Sequence, residues 1–153
     1  MGPTHRSSSS RPLDADAAHG ITHAFPEPEV LAEAGFEGIG TTRNVAETLR
    51  TVARAVCVGT LSFDPNQPLE AFVERFTALR GIGPWTAHYV AMRALKHADA
   101  FPASDLVLCQ VAGAPGPALK PKALAELAEA WRPYRSYAVM HLWRMAGDLA
   151  ARR

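Results

Sequence analysis

The chain has 153 residues, 48% hydrophobic and 20% charged, with 16 Lys and Arg against 15 Asp and Glu for a formal net charge of +1. That length allows one domain with one hydrophobic core, and the make-up is ordinary for a globular protein. It also lacks the strong basic excess of many nucleic-acid binders, although gripping a few phosphates through backbone N–H groups needs little net charge.

Two cysteines, Cys57 and Cys109, form no CxxC pair and cannot supply a four-thiolate zinc or iron–sulfur site. They read as buried thiols in a reducing compartment. Six histidines show no ligand spacing, so no metal site is expected. Met1 to Arg11 is polar and does not read as a secretory signal. No stretch is apolar enough to span a bilayer.

In chain order, residues 1–20 read as a disordered polar tail, with the run Ser7 to Ser10 flanked by Arg6 and Arg11. Residues 21–151 read as one helical domain. Pro28 opens a short helix carrying Val30, Leu31 and Ala34, stopped near Gly35 to Gly40. Thr41 or Thr42 is positioned to cap a second helix, on which Val45, Leu49, Val52, Ala53 and Val56 form an apolar stripe ended by Gly59. After a turn at Asp64 to Pro68, a third helix shows Leu69, Phe72, Val73, Phe76 and Leu79 on one face. Arg80-Gly81-Ile82-Gly83-Pro84 breaks it, and Pro84 is suited to start a fourth helix running to about His97. An irregular link leads to Asp105, which begins a fifth helix through about Val111. Gly113 to Pro117 is a loop, and Pro121 to Trp131 and Tyr134 to about Ala151 are two more helices. No run alternates as a strand does. The fold class is therefore all-α, an orthogonal helical array more than a regular bundle.

The break at Gly81 to Pro84 has its own physics. Gly81 and Gly83 permit positive φ and close backbone approach, and Ile82 can fill the gap between the helices. A helix that begins directly after a glycine turn points unpaired N–H groups outward, which suits a DNA phosphate. Such a contact positions a protein without reading sequence. The same residues also serve as a plain corner between two helices in any α protein.

The stretch Leu79-Arg80-Gly81-Ile82-Gly83-Pro84-Trp85-Thr86-Ala87-His88-Tyr89-Val90-Ala91-Met92-Arg93 resembles the helix-hairpin-helix of the DNA-3-methyladenine glycosylase II family, within the helix-hairpin-helix/Gly-Pro-Asp glycosylase superfamily. Asp99 to Leu106 resembles that superfamily's link to its catalytic Asp, and Trp131 to Arg144 its closing helix. Thr22 to Pro26 and Ala46 to Arg50 fit as well, so the likeness runs from about residue 20 to about residue 145. The resemblance implies a monofunctional glycosylase of base excision repair, hydrolysing the N-glycosidic bond of alkylated bases and leaving an abasic site.

In that reading Asp105 is the catalytic carboxylate, stabilising positive charge on the deoxyribose or orienting water. Asp at a helix start is also a common N-cap, and the two roles are compatible. Trp85, Tyr89 and Trp143 match positions lining the pocket for the flipped base, where an electron-poor alkylated ring stacks on indole and phenol faces; core packing is the alternative for such spacing. Gly81, Ile82, Gly83 and Thr86 match the phosphate-binding turn. Trp85 stands where backbone-cutting relatives carry a Schiff-base Lys, so no nick is expected.

The implied partner is double-stranded DNA with an alkylated base, without cofactor or membrane, in a cytoplasmic, nucleoid-associated, bacterial-type setting. The chain departs from the family where only a polar tail precedes His23: family members have further helices there. The resemblance implies that those N-terminal helices, which carry the duplex wedge, come from a partner chain or a genomic neighbour; otherwise this is a non-catalytic DNA-binding fragment or an inactive remnant. Cys109-Gln110 stands where the family often has basic residues.

Overall fold

Residues 23–151 of the chain are described by a computed structural model. The tail expected over residues 1–20 lies outside them. Regular structure in the described residues consists of seven α-helices and one 3₁₀ turn, with no strand, so the chain is all-α. The fold divides into two compact units.

The first unit contains α1 (Pro28–Glu33) and α2 (Arg43–Cys57), together with residues 79–81. Pro28 stands at the start of α1, where its missing N–H costs nothing. Thr42 caps α2, its hydroxyl oxygen accepting from the Val45 N–H at 3.4 Å. The helices meet through small side chains: Ala32, Ala34, Ala46, Ala53 and Ala55 are buried. Arg50 ties the corner, donating from Nε to the Ala34 carbonyl at 2.7 Å and from a terminal nitrogen to that of Gly35 at 3.0 Å.

This contact face corrects the expected stripe on α2. Val45 and Leu49 are 49% and 41% exposed, because the alanines carry the close approach of α1 and leave the valine–leucine edge outside it. Cys57, expected to be buried, is the last residue of α2 and is exposed, whereas Cys109 is buried.

The second unit contains α3 (Leu69–Thr77), α4 (Pro84–Arg93), α5 (Leu106–Gly113), α6 (Pro121–Ala128), the 3₁₀ turn Glu129–Trp131 and α7 (Arg135–Ala151). Leu69, Phe72 and Phe76 bury one face of α3, and Phe63 joins the two phenylalanines in a cluster with ring centroids 5.2 to 6.0 Å apart. Ala87 and Ala91 on α4, Leu108 on α5, Leu124 on α6 and Val139 on α7 are fully buried. Burying a leucine or valine side chain of this kind stabilises by roughly 1.5–3 kcal/mol.

Helix α4 ends at Arg93, four residues before the expected His97. Lys96 adopts a left-handed conformation at φ 57°, and the His97 N–H turns back to the Ala91 carbonyl at 3.0 Å, closing the helix. The Pro121 to Trp131 segment, expected as one helix, tightens into its 3₁₀ turn after Ala128. No helix of the described residues is long and apolar enough to cross a membrane.

Candidate active site

Asp105 stands immediately before α5 with extended backbone, and its Oδ1 accepts the Leu108 N–H at 2.9 Å. That is an N-cap, satisfying one of the N–H groups left open at the start of the helix. The same carboxylate also accepts two indole N–H groups: Trp85 Nε1 donates to Oδ2 at 2.9 Å, and Trp143 Nε1 to Oδ1 at 3.4 Å. Asp105 is only 8% exposed. Three N–H donors fix both oxygens, and with about four lone-pair sites on a carboxylate, Oδ2 keeps acceptor capacity in hand.

The donors come from two helices. Trp85 and Tyr89 are one turn apart on α4 and stack on each other, centroids 5.1 Å apart and planes 14° from parallel. Trp143 on α7 tilts against Tyr89 at 5.9 Å and 50°. Ser136, Val139 and Trp143 lie on one face of α7 at helical spacing, so the packing that buries the first two also delivers the indole. Trp85 remains 38% exposed, which leaves ring surface open beside the carboxylate.

The loop between α4 and Asp105 is held from both sides. Arg135, nearly buried at the start of α7, donates from Nε and a terminal nitrogen to the two Asp99 oxygens, both at 2.8 Å. Arg132 also reaches Asp99, and Glu129 bridges the two arginines. Burial pushes the Asp99 carboxyl up, but the hydrogen bonds and charge of Arg135, with Arg132, outweigh it and hold the group below the usual carboxylate range. The Ser136 N–H donates to the Ala98 carbonyl at 2.8 Å, and its hydroxyl lies within reach of the His97 and Ala100 carbonyls.

On the other side, the Phe101 N–H donates to His88 Nδ1 at 3.2 Å. Burial, then the nearby Arg135 charge, lowers the His88 pKa, favouring the neutral ring that this bond requires.

The hairpin residues divide by role. Gly81 has φ 92°, and a Cβ there would lie 2.2 Å from Thr48 Oγ1, so any other residue at this position is strained. The Thr48 hydroxyl lies 3.0 Å from the Asn44 carbonyl and 3.4 Å from that of Arg80. Gly83 differs from the expectation: its φ is −97°, and open space surrounds the place of a Cβ. Its backbone is permitted to any residue, so the fold itself does not require glycine there. Ile82 and Thr86 are half-buried. Pro84 has no N–H and the Ala87 N–H pairs with the Gly83 carbonyl, leaving those of Trp85 and Thr86 without partners inside α4.

No family model matches the chain. A probable bifunctional transcriptional activator/DNA repair enzyme AlkA of Mycobacterium tuberculosis is 38% identical over 126 residues, covering 82% of this chain and 25% of that protein. DNA-3-methyladenine glycosylase 2 of Escherichia coli is 33% identical over 126 residues, covering 80% of this chain and 43% of that protein. A crystal structure of a DNA-3-methyladenine glycosidase from Bacillus halodurans superposes with a TM-score of 0.73 at 30% identity, over 84% of this chain and 63% of that one. The chain is similar to the C-terminal part of DNA-3-methyladenine glycosylase 2. It spans less than half the length of the two curated relatives.

In this glycosylase-like chain, Asp105, Trp85, Tyr89 and Trp143 gather around one carboxylate. The expectation gave the tryptophans stacking faces and missed their N–H bonds to Asp105. Asp99, Arg135 and Ser136, which hold the loop, were also missed, since nothing in local spacing marks a pair 36 residues apart.

Proposed function

We propose that the chain carries the excision chemistry of a monofunctional DNA glycosylase acting on alkylated bases of the 3-methyladenine and 7-methylguanine type. The observation that supports this reading most is the buried Asp105 carboxylate, fixed by two indole N–H groups and a helix N-terminus beside open aromatic surface. As the bond between C1′ and the base nitrogen breaks, positive charge develops on the deoxyribose. A preoriented carboxylate stabilises that charge without reorganising and orients the water that completes hydrolysis. An N-alkylated base is electron-poor and already a good leaving group, so stacking on Trp85, Tyr89 or Trp143 is enough to hold it. Trp85 offers no amine for a Schiff base, so the product is an abasic site and not a cut strand.

In this reading the N–H groups at Gly81 to Thr86 hold a phosphate of double-stranded DNA, and the protein works in the cytoplasm near the nucleoid. Incubation with methylated DNA should release free base, and Asp105→Asn should stop the release while DNA binding persists.

A second reading is a non-catalytic DNA-binding module that uses only the turn at Gly81 to Pro84, with Asp105 serving solely as the N-cap of α5. It predicts DNA binding with no base release from the intact chain.

A further inference from the structure

A cleft of about 640 Å³ in the first unit is lined by residues of α2 together with Arg80 and Gly81. Its walls include Arg50, Arg54 and Arg80, with Glu47 as the only acid. The described residues of this unit hold four arginines, five glutamates and no lysine or aspartate. The cleft thus gathers three of the four cations and one of the five acids, although the unit as a whole is slightly acidic.

The cations are not spent on each other's neighbours. Arg50 donates to the neutral carbonyls of Ala34 and Gly35 and lies over the Phe36 ring at 5.3 Å, contacts that fix its guanidinium without removing its formal charge. Arg54 meets Glu33 at 3.4 Å, but both side chains are more than half exposed, so this pair is weak. Arg80 is exposed, and its backbone carbonyl is held by Thr48, which fixes where the side chain starts.

We propose that this cleft is a phosphate track for the DNA strand lying next to the hairpin, with Arg80 as its principal contact and Arg50 and Arg54 setting its positive field. The inference rests on the glycosylase reading above, because Gly81, in the cleft wall, is the first residue of the proposed phosphate-binding turn. A polyanion suits the site: planar guanidinium forks match phosphate oxygens, and the volume exceeds that of a single phosphate group. The cleft offers no aromatic surface for base stacking, so it grips backbone and contributes no sequence reading.

The test is fluorescence anisotropy of the full chain with a labelled duplex lacking any lesion, at salt from about 50 to about 200 mM. Each phosphate neutralised contributes about 0.9 to the slope of log K against log salt. Arg80→Gln is expected to reduce that slope by about 0.9, and Arg80→Lys to retain it. Glu47→Gln is expected to change affinity in the opposite direction, tightening binding about twofold or more at low salt. That gain is something a misfolded variant would not show.

If the wild type binds DNA and neither Arg80→Gln nor Glu47→Gln alters affinity or slope, the track is wrong and the glycosylase reading stands. If the wild type binds no duplex at all, both are wrong.

Discussion

Asp105 depends on indole nitrogens as much as on its own helix. The 2.9 Å bond from Trp85 is shorter than the 3.4 Å bond from Trp143, so the two tryptophans are unequal. Trp85→Phe keeps an aromatic face and removes one charge-assisted bond, worth about 1.5–3 kcal/mol. Its single-turnover base release should fall about tenfold or more, with Trp143→Phe losing less. Equal losses would show that stacking, and not the N–H bonds, is what both residues supply.

His88 makes a prediction of a different kind. Its folded-state pKa lies below the ordinary value because of burial and then Arg135. A group shifted this way contributes stability that is fully present above its unfolded value, about 6.5, and is lost as pH falls below that toward the folded value. The melting temperature should therefore drop between about pH 7 and about pH 5, and His88→Gln should flatten that slope. The Asp99 contribution is lost only in the more acid carboxylate range, so the two are separable.

At the level of elements, the hairpin and the loop before α5 carry the geometry. Gly81→Ala places a side chain at φ 92° against Thr48 and should destabilise the fold by about 1–3 kcal/mol. Gly83→Ala meets open space at an ordinary φ and should leave the melting temperature unchanged or slightly raised, yet weaken DNA binding by filling the room in which a phosphate approaches. Unchanged DNA affinity for Gly83→Ala would remove that role from the turn. Arg135→Ala leaves Asp99 paired with Arg132 alone and removes two charge-assisted bonds, which should cost about 1.5–3 kcal/mol in urea unfolding. Arg135→Lys should recover part of that stability, since it keeps the charge without the two-pronged bond.

The elements themselves were largely legible in the sequence. Pro28, Pro84 and Pro121 begin helices, Thr42 and Asp105 cap them, and Gly59 follows one, each for a local steric or hydrogen-bonding reason. The end of α4 was not legible, because a left-handed Lys96 is set by where the chain must turn and not by local propensity. The α2 stripe misled for a similar reason: Val45 and Leu49 have core character, but the alanines let α1 come closer.

Over the whole molecule, large apolar side chains remain outside the core. Phe25 is 82% exposed, Leu106 78%, Val58 71% and Ile39 61%. Exposed apolar side chains favour association where they gather into a patch. Sedimentation of the chain alone should show self-association that increases with concentration; a monodisperse monomer at high concentration would show that this surface is tolerated in water. The side chains of the candidate site were more readable than the contacts that hold them. Asp105, Trp85, Tyr89 and Trp143 are chemically conspicuous, whereas the Arg135–Asp99 pair and the His88 bond exist only once distant segments meet.

The decisive measurement is chemical: intact chain is mixed in excess with duplex DNA methylated at base nitrogens, and free base is quantified over time beside the Asp105→Asn protein. The account predicts steady release of methylated base with unbroken strands from the wild type, and a loss of about a hundredfold or more in the variant. Equal rates for the two proteins, or no free base from a folded wild type that binds the duplex, would contradict it.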